Sequence, residues 1–349
     1  MATMVKIAIS GGPCSGKTSA IHKIRKHFEK DCEVCVLSES ARILLENGAD
    51  RSDMLEFETR VVEHQLEAER RIAEQYNLDG DTSEVVLVIC DRGIVDAYGY
   101  LNEDDRAELI KRTGIDLIHA WSRYDAVMFL ETADSYENDS ARIESKEEAQ
   151  KISEDILSVW MGHPHLRYIK SEDAFEEKFT NLKKEIKTIM KAVELEKKYL
   201  IEYPNLSDFE KYKPFRAEIE QIYLAMDIGS HRIRKRGHNG SFAYYETLKL
   251  RLSGDKCIET QNVISEEMYE ELKKEADPDK HPIVKDRYCF LYEGQYFEMD
   301  IYPFWNDKAV LELEITSRSQ EIKLPPEIKV IKDVSKSKKY KNSHLARNV

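Results

Sequence analysis

The sequence predicts an α/β domain built on a parallel sheet, followed by a second domain that is mostly antiparallel β. Three observations predict it. In the first half, short apolar runs alternate with long amphipathic stretches, the pattern of a parallel sheet flanked by helices. In the second half, the alternation shortens to period two over one segment after another. At 349 residues, two domains are the better expectation than one.

In the first half the expected strands are Val5 to Ser10, Glu33 to Leu37, Glu84 to Cys90, Ala126 to Glu131 and Leu166 to Ile169. Each is a run of four to eight residues rich in Val, Ile, Leu or Phe, as a strand buried on both faces requires. The stretch Met54 to Tyr76 is long and charged, with helical spacing of its apolar residues, and Ala174 to about Lys191 repeats that pattern. Immediately afterwards the character changes. VELEKKYLIEY, RIRKR, YYETLKLRL, IVKDRYCFLY, YFEMDIYPFW and AVLELEITS all alternate side-chain type, so the domains are divided near residue 190, as 1–190 and 191–349.

Between the first strand and the first helix stands Gly11-Gly12-Pro13-Cys14-Ser15-Gly16-Lys17-Thr18, which fits G-x-x-x-x-G-K-[ST] in the context that motif demands. Its glycines let backbone N–H groups face nucleotide phosphates, and the helix that follows, with Ser19 in its first turn, adds the positive end of its dipole. Lys17 is expected as an exposed contact to the outer phosphates, and Thr18 as a ligand of Mg²⁺. The third strand ends in CDRGIVDAYGY, placing Asp91 at its carboxyl end. There Asp91 binds Mg²⁺ through water or takes the proton from an acceptor hydroxyl, and Arg92 beside it holds substrate or phosphate. No NKxD motif occurs, so guanine specificity is not indicated and ATP and GTP are equal candidates.

In the second half, Glu194-x-Glu196-x-Lys198 puts two carboxylates and an ammonium on one face of a strand. Arg232, Arg234 and Arg236 alternate in the same way, as do Thr247, Lys249 and Arg251, then Lys285 and Arg287, and finally Glu312 and Glu314. One such pair is normally a solvated face. Five strands of them point to an enclosed polar channel, because charges of this number are costly to bury without partners or an ionic ligand.

Three resemblances extend this reading. GGPCSGKT, LSESAR, CDRGIVDAYGY, and ARIESKEEA followed by WMGHPHLRYI resemble the P-loop domains related to ribosylnicotinamide kinases. That resemblance implies that Glu39 and Arg42 face the acceptor and that Arg142 closes on the transferring phosphate from a lid, with a solvated helix residue as the alternative for Arg142. The E-x-E-x-K start, with LPPEIKVIKDVS and YKNSHLA, is similar to the CYTH or triphosphate-tunnel family. It implies an eight-stranded antiparallel barrel in which Glu194, Glu196, Glu312 and Glu314 hold Mg²⁺ or Mn²⁺ and Lys198, Arg232, Arg234, Lys249, Lys285 and Arg287 grip phosphate, with Asp300 a weaker member. The order of the two domains resembles the TRPL translocation defect protein 14 family, which implies nucleotide binding and phosphoinositide binding linked to protein traffic.

The expected function is therefore a Mg²⁺-dependent ATP- or GTP-binding protein whose tunnel domain binds, and as an enzyme hydrolyses, a polyphosphate or triphosphate, with Lys17, Asp91, Arg142 and Lys198 as catalytic candidates. The first domain would be a P-loop NTPase or small-molecule kinase. The alternative is a regulatory protein that binds a phosphoinositide headgroup without chemistry.

Composition narrows the setting. Lys plus Arg number 53 against 66 Asp plus Glu, a net charge of −13 that argues against nucleic acid as a partner. The longest apolar run, Val85 to Cys90, is far below the roughly 20 residues of a membrane-spanning helix. The N-terminus does not read as a secretory signal, and six spread cysteines suit a reducing compartment, so the cytoplasm is expected. Lys336, Lys338, Lys339 and Lys341 are candidate contacts to anionic lipid at a membrane periphery, or part of a segment that closes one mouth of the barrel. Cys32-x-x-Cys35 lacks a second pair and reads as core, and His163 and His165 read as turn-shaping residues rather than metal ligands.

Overall fold

The computed structural model describes residues 3–78, 85–132, 146–171, 174–191, 195–226, 228–251 and 257–348. It divides into two compact units, Met1–Val193 and Glu194–Val349.

In the first unit the elements run β1 (Thr3–Ser10), α1 (Lys17–Phe28), β2 (Glu33–Leu37), α2 (Ser40–Glu46), α3 (Met54–Leu78), β3 (Val85–Asp91), α4 (Asp96–Gly99), α5 (Glu103–Thr113), α6 (Leu117–Trp121), β4 (Ala126–Leu130), α7 (Lys146–Trp160), β5 (Leu166–Ile169) and α8 (Phe175–Met190). The five strands form one parallel sheet in the order β2-β3-β1-β4-β5. The apolar runs of β1, β3 and β4 are fully buried because helices cover both faces, which is why they carry no alternation. Ile7, Ile9, Leu87, Ile89, Met128 and Leu130 pack on one side against Ile21, Ile24 and Phe28 of α1 and Phe179, Leu182 and Ile186 of α8. The carboxyl ends of β1 and its neighbours β3 and β4 thus open a crevice on one edge, where open α/β sheets bind ligands.

The second unit runs β6 (Glu196–Glu202), β7 (Phe215–Leu224), β8 (Ser230–His238), β9 (Ser241–Arg251), β10 (Cys257–Ile264), α9 (Glu266–Leu272), β11 (Ile283–Tyr292), β12 (Gln295–Ile301), β13 (Lys308–Glu314), β14 (Val330–Asp333) and α10 (Asn342–Leu345). These nine strands make one antiparallel sheet in the order β10-β9-β8-β7-β11-β12-β13-β6-β14. The resemblance implied eight strands; the ninth, β14, is short and pairs on the outer edge of β6 through a bulge between Val330 and Lys332. Asn239-Gly240 and Glu293-Gly294 have positive φ at both positions, the two-residue turns that match strand twist, and they fix the β8–β9 and β11–β12 registers.

Register sorts the side chains. One face of the sheet carries Phe290, Phe297, Met299, Leu311 and Leu313, packed with Phe209, and under α9 Ile222, Ile233 and Tyr244 with Tyr269. The other face carries the charged positions. Lys198, Gln221, Arg236, Thr247, Lys285 and Asp300 on that face are nevertheless buried, so the sheet curls around its polar side and encloses it. At one end the polar face gives way to Leu200, Tyr223, Ile283, Tyr302 and Val310, and Leu345 and Ala346 pack there. Tyr302 donates its hydroxyl to Asn342 Oδ1 at 2.8 Å, fixing α10 in place. The segment after Lys341 therefore seals one end of the sheet's interior.

His163 is fully buried, with Nε2 3.1 Å from the Tyr124 carbonyl and Nδ1 accepting the backbone N–H of His165, the turn-shaping role its sequence setting suggests. Cys32 and Cys35 are free and half-buried. No helix among the described residues is long and apolar enough to cross a membrane.

Candidate functional sites

The loop after β1 wraps the start of α1. Gly11 has φ 138° and a side chain there would collide with the Leu130 carbonyl, while Gly16, at φ 85°, turns the chain into α1. Pro13, Cys14, Ser15, Gly16, Lys17, Thr18 and Ser19 line a cavity of about 400 Å³ that continues to Glu39, Arg42, Arg51, Glu58, Arg92, Asp96 and Tyr100. Gly12 sits behind it, against Ser153 of α7.

Lys17 corrects one expectation: it is buried, not exposed. Its Nζ donates to the carbonyls of Gly11 and Gly12, both at 2.8 Å, and to Ser15 Oγ at 3.2 Å. Burial, then the Arg92 guanidinium, push its pKa down to about 7 against the pull of Glu39, Asp96 and Asp91. Thr18 and Ser19 are exposed at the mouth of the cavity. From behind, Lys178 of α8 donates to the carbonyls of Ser15 (2.9 Å) and Glu131 (2.6 Å), a brace on the loop that reads in the sequence as one more helix lysine.

Asp91 ends β3 beside β1, opposite Ile9. Its Oδ1 is buried with no hydrogen-bond partner among the described residues, and burial and then Glu39 raise its pKa. A cation would satisfy that oxygen; Asp91 is not among the residues that line the cavity, whereas Thr18 is. Arg92 is not free to reach out as expected. Its Nε donates to Glu39 at 2.7 Å, its Nη1 to Asp96 at 3.3 Å, and it stacks 5.7 Å from the Tyr100 ring centroid. Glu39, which stands just before α2, is kept below its ordinary pKa: burial acts to raise it, and Arg92 outweighs burial. Arg42 is exposed, 3.5 Å from Glu39. Arg142 lies outside the described residues.

Two cavity carboxyls were not singled out by sequence. Asp96 is buried and accepts from Ser10 Oγ (2.7 Å) and Trp160 Nε1 (2.6 Å). Glu58 on α3 is only 4 % exposed, and burial pushes its pKa up to about 8 against Arg92 and Arg51. The CDRGIVDAYGY segment carries a signal for Asp96, four residues after Arg92. Glu58 has none, being one of many glutamates on a charged helix.

In the second unit the polar face has two different walls. On β6, β11, β12 and β13 every predicted cation meets carboxylates. Lys198 pairs with Glu312 at 2.6 Å and Glu196 at 3.5 Å. Lys285 pairs with Asp300, and Arg287 grips Asp300 with Nε (2.6 Å) and Nη2 (2.7 Å), Glu312 at 2.8 Å, and Glu298. Burial acts to raise Asp300, but Arg287 and Lys285 hold it well below the carboxylate range. Asp300 is thus the centre of the lattice rather than a marginal member, and Glu298 joins it unforeseen. On β8 and β9 the pattern is different. Arg234 is 3.0 Å from Gln261 and 5.3 Å from the Tyr245 ring, and burial with Arg232 and Arg236 lowers its pKa to about 10. Arg232 and Lys249 share that face, opposite Tyr223 and Ser230.

Of the four carboxylates expected to hold metal, Glu196 on β6 and Glu314 on β13 are register partners, with Glu312 two residues before Glu314 on the same face. Glu194 lies outside the described residues, Glu312 has an oxygen on Lys198 and another on Arg287, and Glu314 stands one step further along β13. No cluster of three or more His, Cys, Asp or Glu suited to a metal occurs among the described residues.

Residues 6–178 match the family described as AAA domain. The chain is similar to the crystal structure of the inorganic triphosphatase NE1496, at 26 % identity and a TM-score of 0.33, over 45 % of this chain and 96 % of that one. It is also similar to the PH1819 protein from Pyrococcus horikoshii OT3, at 23 % identity and a TM-score of 0.27, over 36 % and 80 %. No curated protein matches.

Proposed function

We propose that the chain binds a nucleoside triphosphate on its P-loop and a polyphosphate or triphosphate on the enclosed polar face of its second unit. The observation that carries the reading is the alignment of Arg232, Arg234 and the buried Arg236 on one face of β8, where burial and the two neighbouring arginines lower the pKa of Arg234. A buried cation of this kind is costly unless an anion joins it. In the first unit, Lys17 would leave the Gly11 and Gly12 carbonyls for the outer phosphates, backbone N–H groups of the loop and the α1 terminus would hold the inner ones, and the Glu39, Asp96 and Arg92 cluster would order the far side of the cavity. When bound at Asp91 and Thr18, Mg²⁺ would neutralise phosphate charge. A continuous cavity that begins at the P-loop and ends at carboxyl groups supports phosphoryl transfer or hydrolysis in the kinase-like manner.

The test is phosphate release from ATP, GTP and tripolyphosphate, each with Mg²⁺ or Mn²⁺. Release from a nucleotide that Lys17→Ala abolishes, and release from tripolyphosphate that Arg232→Glu with Arg234→Glu abolishes, are the expected results. Tight binding of a phosphoinositide headgroup through those arginines, with no cleavage of any substrate, would instead establish the regulatory reading that the TRPL-like domain order suggests.

A further inference from the structure

Side chains hold the carbonyls of the loop after β1. Lys17, inside the loop, takes those of Gly11 and Gly12, while from outside Thr132 donates to the Pro13 carbonyl at 3.3 Å and Lys178 to the Ser15 carbonyl at 2.9 Å. Lys178 is 4 % exposed and also donates to the Glu131 carbonyl at 2.6 Å, so it ties the loop to the chain leaving β4. The Glu131 carboxylate is engaged elsewhere, accepting from the Tyr168 hydroxyl at 2.7 Å and the Ser171 N–H at 2.6 Å. One turn before Lys178 on α8, the Phe175 ring lies 3.1 Å from where a Gly16 Cβ would stand. Helix α8 therefore backs the loop twice, with a ring at Gly16 and an ammonium at Ser15.

We infer that Lys178 is a positioning residue for the phosphates of a bound nucleotide, because by holding the Ser15 carbonyl at the back of the loop it aims the Gly16 N–H into the cavity. The inference rests on the nucleotide reading above. The Ser15–Gly16 peptide is trans, and in a trans peptide the N–H points opposite to the carbonyl. Lys178 fixes one end of that plane, and the other end is left for a ligand, since no backbone group among the described residues takes the Gly16 N–H. Gly16 also offers no side chain to cap α1, so the first N–H groups of the helix stand beside it at the same cavity. The loop needs such a brace. Cys14 is held at φ 60°, a region that a residue with a side chain rarely adopts, and Gly16 at φ 85° is free of that restriction and could swing. An ammonium suits the task because its bonds to carbonyls are charge-assisted. Phosphates then meet N–H groups that already converge, and do not have to order the loop on arrival.

The experiment is calorimetric titration of the full chain at pH 7 with ATP, ADP, GTP and GDP in Mg²⁺, on wild type, Lys178→Met and Lys178→Gln, with Lys17→Ala marking which part of the signal belongs to the P-loop. Circular dichroism confirms that each variant is folded. Lys178→Met keeps an unbranched side chain and loses the donor, so the triphosphate is expected to bind about tenfold or more weakly, the worth of a hydrogen bond to a charged group, at unchanged stoichiometry. The diphosphate should lose the same factor, because the Gly16 N–H serves the inner phosphates. Lys178→Gln, a donor without the charge, should recover part of the loss and decides alone if Lys178→Met does not fold. A residue that only stabilised the fold would instead lower the Tm and the stoichiometry, with wild-type affinity in the protein that still binds. Wild-type affinity in either folded variant, or a loss confined to the triphosphates, overturns the inference while the nucleotide site stands. Failure of all four nucleotides to bind wild type overturns the nucleotide reading along with it.

Discussion

Arg287 holds Asp300 with two nitrogens, at 2.6 and 2.7 Å, and the carboxylate that receives them is completely buried. Lys285 approaches the same carboxylate from two residues along β11. One acid therefore neutralises two cations, Lys285 buried and Arg287 mostly covered, and Glu298 and Glu312 complete the balance around Arg287.

Asp300→Asn should be among the most damaging substitutions in the second unit. It leaves Lys285 and Arg287 facing each other with a neutral amide between them, and breaking a buried pair in this way costs about 3–5 kcal/mol. Differential scanning calorimetry should show a drop in Tm of the order of 10 °C for a unit of this size. Because Asp300 is held below its ordinary pKa, its contribution is present above the unfolded carboxylate range and is lost only as pH falls through the depressed folded value. Acid unfolding of the wild type should therefore start below the pH at which exposed carboxylates titrate. A melt of Asp300→Asn within a degree of wild type at pH 7 would refute this.

Lys17 makes nucleotide binding a proton-linked event. With a pKa near 7 in the free protein, the ammonium is mostly deprotonated at pH 8.5, and a triphosphate placed against it favours the charged form. Binding at pH 8.5 should take up close to one proton and at pH 6 almost none. Titrations in two buffers of different ionisation enthalpy measure this directly, and equal proton uptake at both values would count against Lys17 as the phosphate contact.

Glu58→Gln should stabilise the empty protein at pH 8. The wild-type carboxyl has a folded pKa near 8, raised by burial, so the folded state gives up its proton later than the unfolded state and stability falls as pH rises between the unfolded carboxylate pKa and about 8. The amide removes that loss, which is of order 1 kcal/mol or more at pH 8. The gain should vanish below pH 4.5, where both states of the wild type are protonated. Thermal melts across this range decide it; a gain of equal size at pH 4 would point to packing instead.

Leu345→Ala should unfasten the sealed end of the polar face. Leu345 is buried among Tyr223, Tyr302 and Val310, and deleting it costs roughly 2–4 kcal/mol when the site cannot collapse. A lower Tm with nucleotide affinity at the P-loop unchanged is the expected pair of results. A Tm equal to wild type would mean that the C-terminal segment is not needed to close the face.

Much of this was legible in the sequence, and the limits are instructive. The P-loop could be read because its chemistry depends on contiguous residues, and the five parallel strands because full burial removes polar residues from them. The charged face of the second unit could be read because period two is local. What could not be read was partnership. Whether Lys285 meets phosphate or Asp300 depends on the β11–β12 register, which the Glu293-Gly294 turn sets. Arg92 looked like a substrate ligand because nothing in CDRGIV reveals that Glu39, 53 residues away, already holds it. Lys17 looked exposed because the motif names its ligand and not its surroundings. Glu58 gave no sign, since burial on α3 comes from what packs over the helix and not from its own charged pattern.

The polar face has one wall where cations meet carboxylates and another where arginines line up along β8, and the two differ in what dissolved salt can disturb. Ions in solution screen charges that water reaches, with a reach of about 10 Å at 0.1 M. Asp300 and Lys285 are buried, Arg287 is mostly covered, and all three are matched, so the lattice they form should hold its strength from dilute buffer to concentrated brine. A phosphate ligand of the proposed kind would have to reach the arginines of β8 from solution, and its attraction to them would be weakened by every ion on the way. Ionic strength should therefore tune occupancy of this sheet while leaving its architecture untouched.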